Sequence, residues 1–338
     1  MIIGKIFRSL LFVFLLSGLI TIFAACTTGQ PTPVPTATSI QATATPEGIQ
    51  YPITVTDMMG RSVEITSKPQ RIVGISPTAM EMLYEIGGVA VGRDSGSNFS
   101  DDVAALPAVG GAYNPSVEAI VTLQPDLIII EALTQGHLTP MLASLKVPIV
   151  AVRATSVQDV ANGLELLGKV TDLEQEARDA KEAIEERVND SVSSVRKYGF
   201  DRIEKSVLIL IADADHNFYA ALQESYPGGI ASMMNLTNVT DGMDQSGPYH
   251  GFTLFSPEQA ATSNPDVILA ISPAPEPAPR LSSMLPRVPG YSTLGAVTEG
   301  RTVEIDPDLF LQAPGPRIAD AIEELETLLR EMNVSEGK

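Results

Sequence analysis

The sequence predicts an α/β protein made of two Rossmann-like lobes, each with a parallel β-sheet, joined by a single long helix. A short pattern that occurs twice supports this prediction. Glu118 and Glu258 each open a helix-like run that ends seven residues later at a proline, and an aspartate and an apolar run follow. A helix that stops at a proline and leads into a buried strand is one unit of a parallel sheet. Its presence in both halves of the chain predicts two similar lobes.

The length and composition of the chain agree with two lobes and exclude some functions. A chain of 338 residues is longer than one hydrophobic core normally needs, and 44% of its residues are apolar, as in an ordinary globular protein. The formal net charge is −19. Nucleic acids are bound by surfaces rich in Lys and Arg, so this charge argues against a nucleic-acid partner.

Residues 1–26 have the composition of an export signal. Lys5 and Arg8 precede an apolar stretch that ends in Phe23-Ala24-Ala25-Cys26. This stretch is short for a membrane-spanning helix, which needs about 20 residues. The only cysteine stands where a bacterial lipobox places the acylated residue, with Phe23 in place of the usual Leu. We predict a lipoprotein signal with a lipid on Cys26; an ordinary signal cut near Ala25 and an uncleaved anchor are the alternatives.

Residues 27–50 are predicted to be a mobile tether. Pro, Thr, Ala and Ser dominate the segment from Gln30 to Gly48, which has almost no charge and no bulky core residues. Such a segment buries too little apolar area to offset the entropy lost on ordering. A lipid-bearing cysteine, a tether and a globular body together predict an extracytoplasmic protein that is anchored to the membrane.

Residues 51–156 are predicted to form the N-terminal lobe. Apolar and polar residues alternate in 53–57 and in 61–65, which indicates a β-hairpin. Ser76-Pro77 is a typical helix start, and this helix is expected to stop at Gly87-Gly88. The core strands are expected at 71–75, 89–92, 126–130 and 147–152.

Residues 157–198 are predicted to link the lobes as a helix, and residues 199–334 to form the C-terminal lobe. The link is charged on most faces, and Thr171-Asp172 is expected to cap a second, longer helix within it. Its heptads are too irregular for a coiled coil. The C-terminal lobe opens with a strand at 206–212 and closes with an amphipathic helix at 316–332. Between them we expect a helix at 229–234 and strands that end near 271 and 305.

These elements follow one another in the order and at the spacing of a known family. The matching pieces are the hairpin 53–65, Lys68 to Val73, the helix from Ser76 to Leu83, Val109 to Ile128, the linking helix, Ser256 to Asp266, and Pro316 to Leu329. Through them the chain resembles the substrate-binding proteins of ATP-binding-cassette (ABC) importers, in the class that carries iron–siderophores, cobalamin and haem. The resemblance covers nearly the whole body, from residue 51 to residue 332.

The resemblance implies how the lobes and their partners work. In this family two lobes face each other across a shallow cleft, a rigid helix limits closure, and a Glu on each lobe docks onto Arg residues of the permease. The matching positions here are Glu118 and Glu258. A carboxylate in a first helical turn can accept a guanidinium through two hydrogen bonds, although the helix dipole alone also favours Glu there. The implied partners are an ABC permease and its ATPase, and the implied state is a monomer.

The ligand is expected at the loops that follow the carboxyl ends of the strands. Aromatic side chains suit a large, flat or greasy ligand, and Arg suits an anionic chelate. The resemblance implies a ferric chelate of siderophore type, with haem or cobalamin as alternatives. In a haem binder Tyr113, Tyr249 or His250 would ligate the iron, whereas the absence of Trp weakens the cobalamin alternative. The candidate ligand-binding residues are Arg93, Tyr113, Phe218, Tyr219, Tyr249, His250 and Phe252.

A zinc- or manganese-importing binding protein is a second interpretation. Such proteins also have two lobes and a linking helix, and their sites are built from His and carboxylates. Asp213, Asp215, His216 and His250 would supply these ligands, but the His-rich segment typical of that class is missing. We therefore expect no resident metal, and no cofactor apart from the lipid on Cys26.

An α/β hydrolase is a third, more remote interpretation. Residues 74–78 follow a strand and start a helix, as a nucleophile elbow does, but the closing glycine of that motif is absent. Pro77 is explained by its place at the first helical position. No phosphate-binding loop or dinucleotide fingerprint occurs. We expect no enzymatic activity.

Overall fold

The computed structural model of the protein describes residues 48–197, 205–275 and 277–336. The predicted signal, Cys26 and the tether up to residue 47 lie outside the described residues. The Ile49 amide donates a hydrogen bond of 2.7 Å to the Asp172 carboxylate, so the body includes residues before the predicted boundary at 51. Within the described ranges, no helix is long and apolar enough to cross a membrane.

The N-terminal lobe is built on a four-stranded sheet in which all neighbours are parallel. Its strands and those of two small ribbons are β1 (Ile53–Thr56), β2 (Ser62–Ile65), β3 (Ile72–Gly74), β4 (Gly92–Arg93), β5 (Gly110–Gly111), β6 (Asn114–Pro115), β7 (Leu127–Glu131) and β8 (Ile149–Val152). The sheet has the order β4-β3-β7-β8. β1 and β2 pair as the predicted hairpin, which is confirmed, and β5 pairs with β6.

Short helices cover both faces of this sheet. They are α1 (Pro77–Glu85), α2 (Asp101–Ala104), α3 (Val117–Thr122), α4 (Ala132–Gln135) and α5 (Thr139–Ala143), with a 3₁₀ turn at Gly136–Leu138. The predicted start of α1 is confirmed, since the Ser76 hydroxyl accepts the Ala79 amide at 3.0 Å and Pro77 needs no partner for an amide. Met80 and Leu83 of α1 are fully buried against the sheet.

Two helices occupy the predicted link, which they divide at Asp172. They are α6 (Val157–Thr171) and α7 (Glu174–Lys197). Asp172 adopts a left-handed conformation with φ 59°, which ends α6. Lys181 of α7 bonds Glu165 of α6 at 2.6 Å, so α7 runs back along α6. The second helix that was expected after Thr171-Asp172 is therefore present. Only this helix, α7, reaches the other lobe, so the linking helix is shorter than the predicted segment 157–198.

The C-terminal lobe contains a mixed sheet. Its strands are β9 (Ser206–Ala212), β10 (Phe218–Ala221), β11 (Thr237–Asn238), β12 (Phe252–Leu254), β13 (Val267–Ile271) and β14 (Thr302–Ile305). The order is β12-β10-β9-β13-β14, with β11 also beside β9. Its helices are α8 (Tyr226–Met233), α9 (Pro257–Ser263), α10 (Leu281–Met284), α11 (Gly295–Thr298) and α12 (Ile318–Glu336), with a 3₁₀ turn at Leu285–Arg287 and a π turn at Asp308–Gln312.

The core of this second sheet is parallel, as predicted, but β10 joins it antiparallel to both of its neighbours, β9 and β12. A tight turn causes the reversal after β9. The Asp213 carboxylate accepts the amides of Asp215 (2.9 Å) and Asn217 (2.8 Å), and His216 takes a left-handed φ of 62°. The chain therefore returns along β9 as strand β10, whereas these residues were predicted to lie in a loop.

The repeated sequence unit forms the same structure in both lobes. Ser116 and Ser256 cap α3 and α9, which lead into the central strands β7 and β13. Each aspartate after the proline bonds the start of the neighbouring strand. Asp126 accepts the amides of Gln70 and Arg71 at 2.8 Å, and Asp266 accepts the amide and hydroxyl of Ser206 at 2.8 Å. The fold prediction of two similar α/β lobes is confirmed.

We expect Asp266→Ala to lower the free energy of unfolding by about 2 kcal/mol, because it leaves partly buried groups of Ser206 without an acceptor. Asp126→Ala is the matched variant and should cost less, since the amides of Gln70 and Arg71 are exposed to water. Urea unfolding midpoints measure both. Equal costs at the two sites would contradict this difference in burial.

Apolar packing continues from one lobe into the other. One cluster of buried side chains includes Leu83 of α1, Leu164 of α6, Val188 of α7 and Ile322 of α12. The two helices of the link therefore belong to a core that both lobes share. Because dense cores resist deformation, this continuity supports the limited closure that the family resemblance implies.

Candidate functional site

A large cavity lies between the two lobes, at the carboxyl ends of the strands of both sheets. Its volume is about 980 Å³, which is at the upper end of ligand pockets. The first lobe contributes residues that follow β3, β4 and β7, and the second lobe contributes residues that follow β9 and β13. The position agrees with the rule that parallel sheets bind ligands beyond their carboxyl ends.

The cavity wall is mainly apolar. Its aliphatic side chains are Ile211, Ile271, Leu281, Met284 and Leu311, and four prolines join them. Tyr113 of the first lobe and Tyr249 of the second lobe also line it, with 68% and 38% of their surface exposed. Desolvation, then the charge of Glu131, then Tyr249 raise the pKa of Tyr113. Two candidate residues from opposite lobes therefore present aromatic faces to one space.

Tyr219 is buried and packs against the ring of Tyr249. Their rings meet edge to face with centroids 4.9 Å apart, and the Tyr219 hydroxyl donates to the Asp213 carboxylate at 3.1 Å. Tyr219 is itself only 6% exposed. It is therefore a supporting residue and not part of the cavity wall.

The other candidate ligand-binding residues do not line the cavity. Phe218 packs in the core against Tyr291, with ring centroids 4.9 Å apart, and Phe252 is 4% exposed. Both lie on strands, since β10 and β12 pair where loops were expected. The Arg93 guanidinium donates to the carbonyls of Asp94 (2.8 Å) and Ala104 (2.9 Å). His250 is exposed and does not line the cavity.

Three carboxylates that are not among the predicted ligand-binding residues line the cavity, and the sequence pointed to one of them only as a possible metal ligand. Asp94 accepts the Gly96 amide at 2.7 Å and bonds the Ser97 hydroxyl, and burial raises its pKa. Glu131 caps α4 by accepting the amides of Leu133 (2.9 Å) and Thr134 (2.7 Å). The third is Asp213. Each lies within two residues of the end of a predicted strand, and that position was the available sequence signal.

The alternative metal and hydrolase sites find no support in these contacts. The Asp213 carboxylate is occupied by the turn after β9, and the Ser76 hydroxyl by the amide of Ala79. Within the described ranges, no group of three or more His, Cys, Asp or Glu side chains is placed to hold a metal ion.

The two predicted docking glutamates occupy equivalent exposed positions. Glu118 lies in the first turn of α3 and Glu258 in the first turn of α9. Each helix runs opposite to the strand that follows it, and those strands, β7 and β13, end at the cavity. Both carboxylates therefore lie at the same edge of their lobes as the cavity.

A second cavity of about 460 Å³ lies beside the first and shares Pro77, Gly96 and Gln312 with it. At its wall Arg317, just before α12, bonds Glu81 of α1 through two hydrogen bonds of 2.9 and 2.6 Å. Burial raises the pKa of Glu81, and the hydrogen bond and charge of Arg317 oppose this rise. The ion pair joins the two lobes at the edge of the cleft.

Known proteins are similar to this chain in sequence and in fold. Residues 72–309 match the periplasmic binding protein family. The uncharacterized ABC transporter substrate-binding lipoprotein YvrC of Bacillus subtilis is 24% identical over 281 residues, which cover 81% of this chain and 84% of that protein. A cobalamin-binding protein of Halobacterium salinarum is 22% identical over 282 residues, covering 80% of this chain and 72% of its own length.

The structure of Staphylococcus aureus SirA complexed with staphyloferrin B has the same fold. Its TM-score is 0.65 at 21% identity, and the match covers 82% of this chain and 98% of that one. The chain belongs to the periplasmic binding protein family. It is a substrate-binding transport protein and not an enzyme.

Proposed function

We propose that this protein captures an iron complex of siderophore type in the cavity between its lobes and delivers it to an ABC permease. The observation that carries the proposal is the apolar cavity of about 980 Å³ that Tyr113 and Tyr249 line from opposite lobes. Its size and lining suit a bulky chelate with apolar surface. Haem and cobalamin are the alternative ligands of the same cavity, and a relative that binds cobalamin supports the latter.

The place of action follows from the N-terminus and the relatives. Lys5, Arg8 and the apolar run before Cys26 form the predicted lipoprotein signal, and a relative that spans 81% of the chain is named a lipoprotein. On these grounds we propose that the protein is extracytoplasmic and held at the membrane by a lipid on Cys26, and we propose further that it acts as a monomer. Glu118 and Glu258, one on each lobe, are its proposed contacts with the permease.

We expect Tyr113→Ala and Tyr249→Ala each to weaken ligand binding about tenfold, because each removes an aromatic face from the cavity wall. Tyrosine fluorescence of the full chain in detergent follows titrations with ferric siderophores, haem, cobalamin and Zn²⁺, and there is no Trp to obscure it. Saturation by Zn²⁺ alone would contradict the proposed function.

Phenylalanine variants separate stacking from iron ligation. Tyr113→Phe and Tyr249→Phe keep the ring and remove the hydroxyl, so they should bind a siderophore or cobalamin nearly as well as the native protein. A haem binder that ligates iron through one of these hydroxyls would instead lose affinity and change its haem absorption spectrum. Native affinity for every ligand in both alanine variants would show that the ligand binds elsewhere.

A further inference from the structure

The ionised side chains that line the large cavity are mostly acidic. Among the described residues that line it there are three carboxylates, Asp94, Glu131 and Asp213, one histidine, His216, and no Lys or Arg. The pKa of Asp213 is lowered, chiefly because the Asn217 side chain donates a hydrogen bond to the carboxylate. Asp213 is therefore ionised at neutral pH. The cavity therefore offers negative charge and apolar surface.

The guanidinium groups close to the cavity are held by other partners. Arg93 donates to carbonyls of its own lobe. Arg153 forms two bonds to Asp159, of 2.9 and 2.8 Å. Arg280 donates to the carbonyls of Ser272 and Ala274 at 3.3 Å, and Arg317 is bonded to Glu81. An anionic ligand would have to share these guanidinium groups with the carbonyls and carboxylates that already bond them.

Helix N-termini at the cavity do not replace the missing cations. A helix start binds anions through free amides. At α1, however, the Ser76 hydroxyl accepts one amide and Pro77 has none to donate. At α4 the Glu131 carboxylate accepts the first amides and adds a negative charge at that point. At α10, the third helix start that lines the cavity, the Ser272 hydroxyl accepts the Leu281 amide at 2.8 Å and Glu304 accepts the next amide at 3.0 Å. First amides of all three helices thus already have acceptors.

We infer that the cavity selects metal chelates of zero or positive net charge and discriminates against polyanionic ones. This inference rests on the proposed function and specifies its substrate class. A cationic group on the ligand would be attracted by the negative charge of Asp94, Glu131 and Asp213, which acts across the wall without displacing the hydrogen bonds these carboxylates already accept. An anion would approach these carboxylates without a compensating cation, and it would further raise the pKa of the buried Asp94. Uncharged or cationic hydroxamate chelates and corrinoids fit this class, whereas haem, with its two propionates, does not.

Two sets of probes isolate the charge of the ligand from its shape. Ferrioxamine B is cationic, its N-acetyl derivative is uncharged and its N-succinyl derivative is anionic, on one tris-hydroxamate core. Cobinamide, cyanocobalamin and a cobalamin monocarboxylic acid form the corrinoid set. Titration of the full chain in detergent at low ionic strength should give, within the set that binds, at least about tenfold tighter binding of the cationic or uncharged member than of the anionic one.

A substitution in the cavity wall provides the matched test. Ala214 lines the cavity on the exposed turn after β9, so Ala214→Lys adds a cation without removing a contact. Ala214→Lys should reduce several-fold the ratio between the affinities for the cationic and the anionic probe. Ala214→Gln should leave this ratio unchanged. An anionic probe that binds the native protein as tightly as its cationic relative would overturn the inference and leave the proposed function intact. If no member of either set binds, while Zn²⁺ or haem does, the proposed siderophore function fails and the inference fails with it.

Discussion

Alanine at both Glu118 and Glu258 should reduce ligand uptake at least tenfold while the ligand dissociation constant stays within about twofold of the native value. Both carboxylates are exposed in the first turn of a helix, at the cavity edge of their lobes. Charge-assisted bonds to guanidinium groups are strong and directional, so their loss should weaken docking. Neither residue lines the cavity, and the ligand site should therefore be unaffected.

A second double variant controls for the change in net charge. Glu182 and Glu186 are exposed on α7, away from the cavity wall. Glu182→Ala with Glu186→Ala removes the same two charges and should leave uptake unchanged. Transport is measured with radiolabelled iron chelate in cells that carry the cognate permease, and affinity by fluorescence titration. Normal uptake by the Glu118/Glu258 variant would contradict the docking assignment.

Replacing Arg317 by Met should lower the free energy of unfolding by about 3 kcal/mol. The loss arises because Glu81, whose side chain is 7% exposed, keeps its carboxylate without its partner. The remaining influences on the pKa of Glu81 are burial and repulsion by Asp308 and Glu85, and all of them raise it. The variant would therefore unfold more easily at neutral pH, where a buried, unpaired carboxylate is least tolerated.

The double variant Glu81→Leu with Arg317→Met tests whether the missing partner is the cause. Replacing a buried ion pair by apolar side chains of similar size is often close to neutral, so the double variant should regain most of the lost stability. Urea unfolding at constant pH gives the coupling free energy of the pair. Costs that simply add would show that the two residues contribute independently and that no ion pair joins the lobes.

Local sequence patterns were sufficient for most of the fold. The apolar runs before Glu131 and Ser272 indicate buried strands, and the Ser-containing starts of α1, α3 and α9 predict caps that the structure contains. These signals depend on neighbours along the chain. The antiparallel strand β10 was missed because its direction depends on the turn held by Asp213, whose partners are recognisable only once the chain has folded.

The site was predicted in part for the same reason. Tyr113 and Tyr249 were selected because they lie in loops expected at the ligand-binding edge of the sheets, and the structure brings both to one cavity. Arg93 met the same criterion, but its long side chain turns back to the carbonyls of Asp94 and Ala104. Phe218 and Phe252 became core residues when β10 and β12 joined the sheet.

The sequence by itself determined the two α/β lobes, the duplicated unit that carries Glu118 and Glu258, and the edge of each sheet where a ligand can bind. Periodicity, caps and prolines act over a few residues, so they can be recognised without the fold. Only the tertiary structure decided which side chains face the cavity, that Glu81 and Arg317 join the lobes, and that the cavity wall is acidic. These properties depend on residues far apart in the chain, whose contacts exist only after both lobes have packed around α6 and α7.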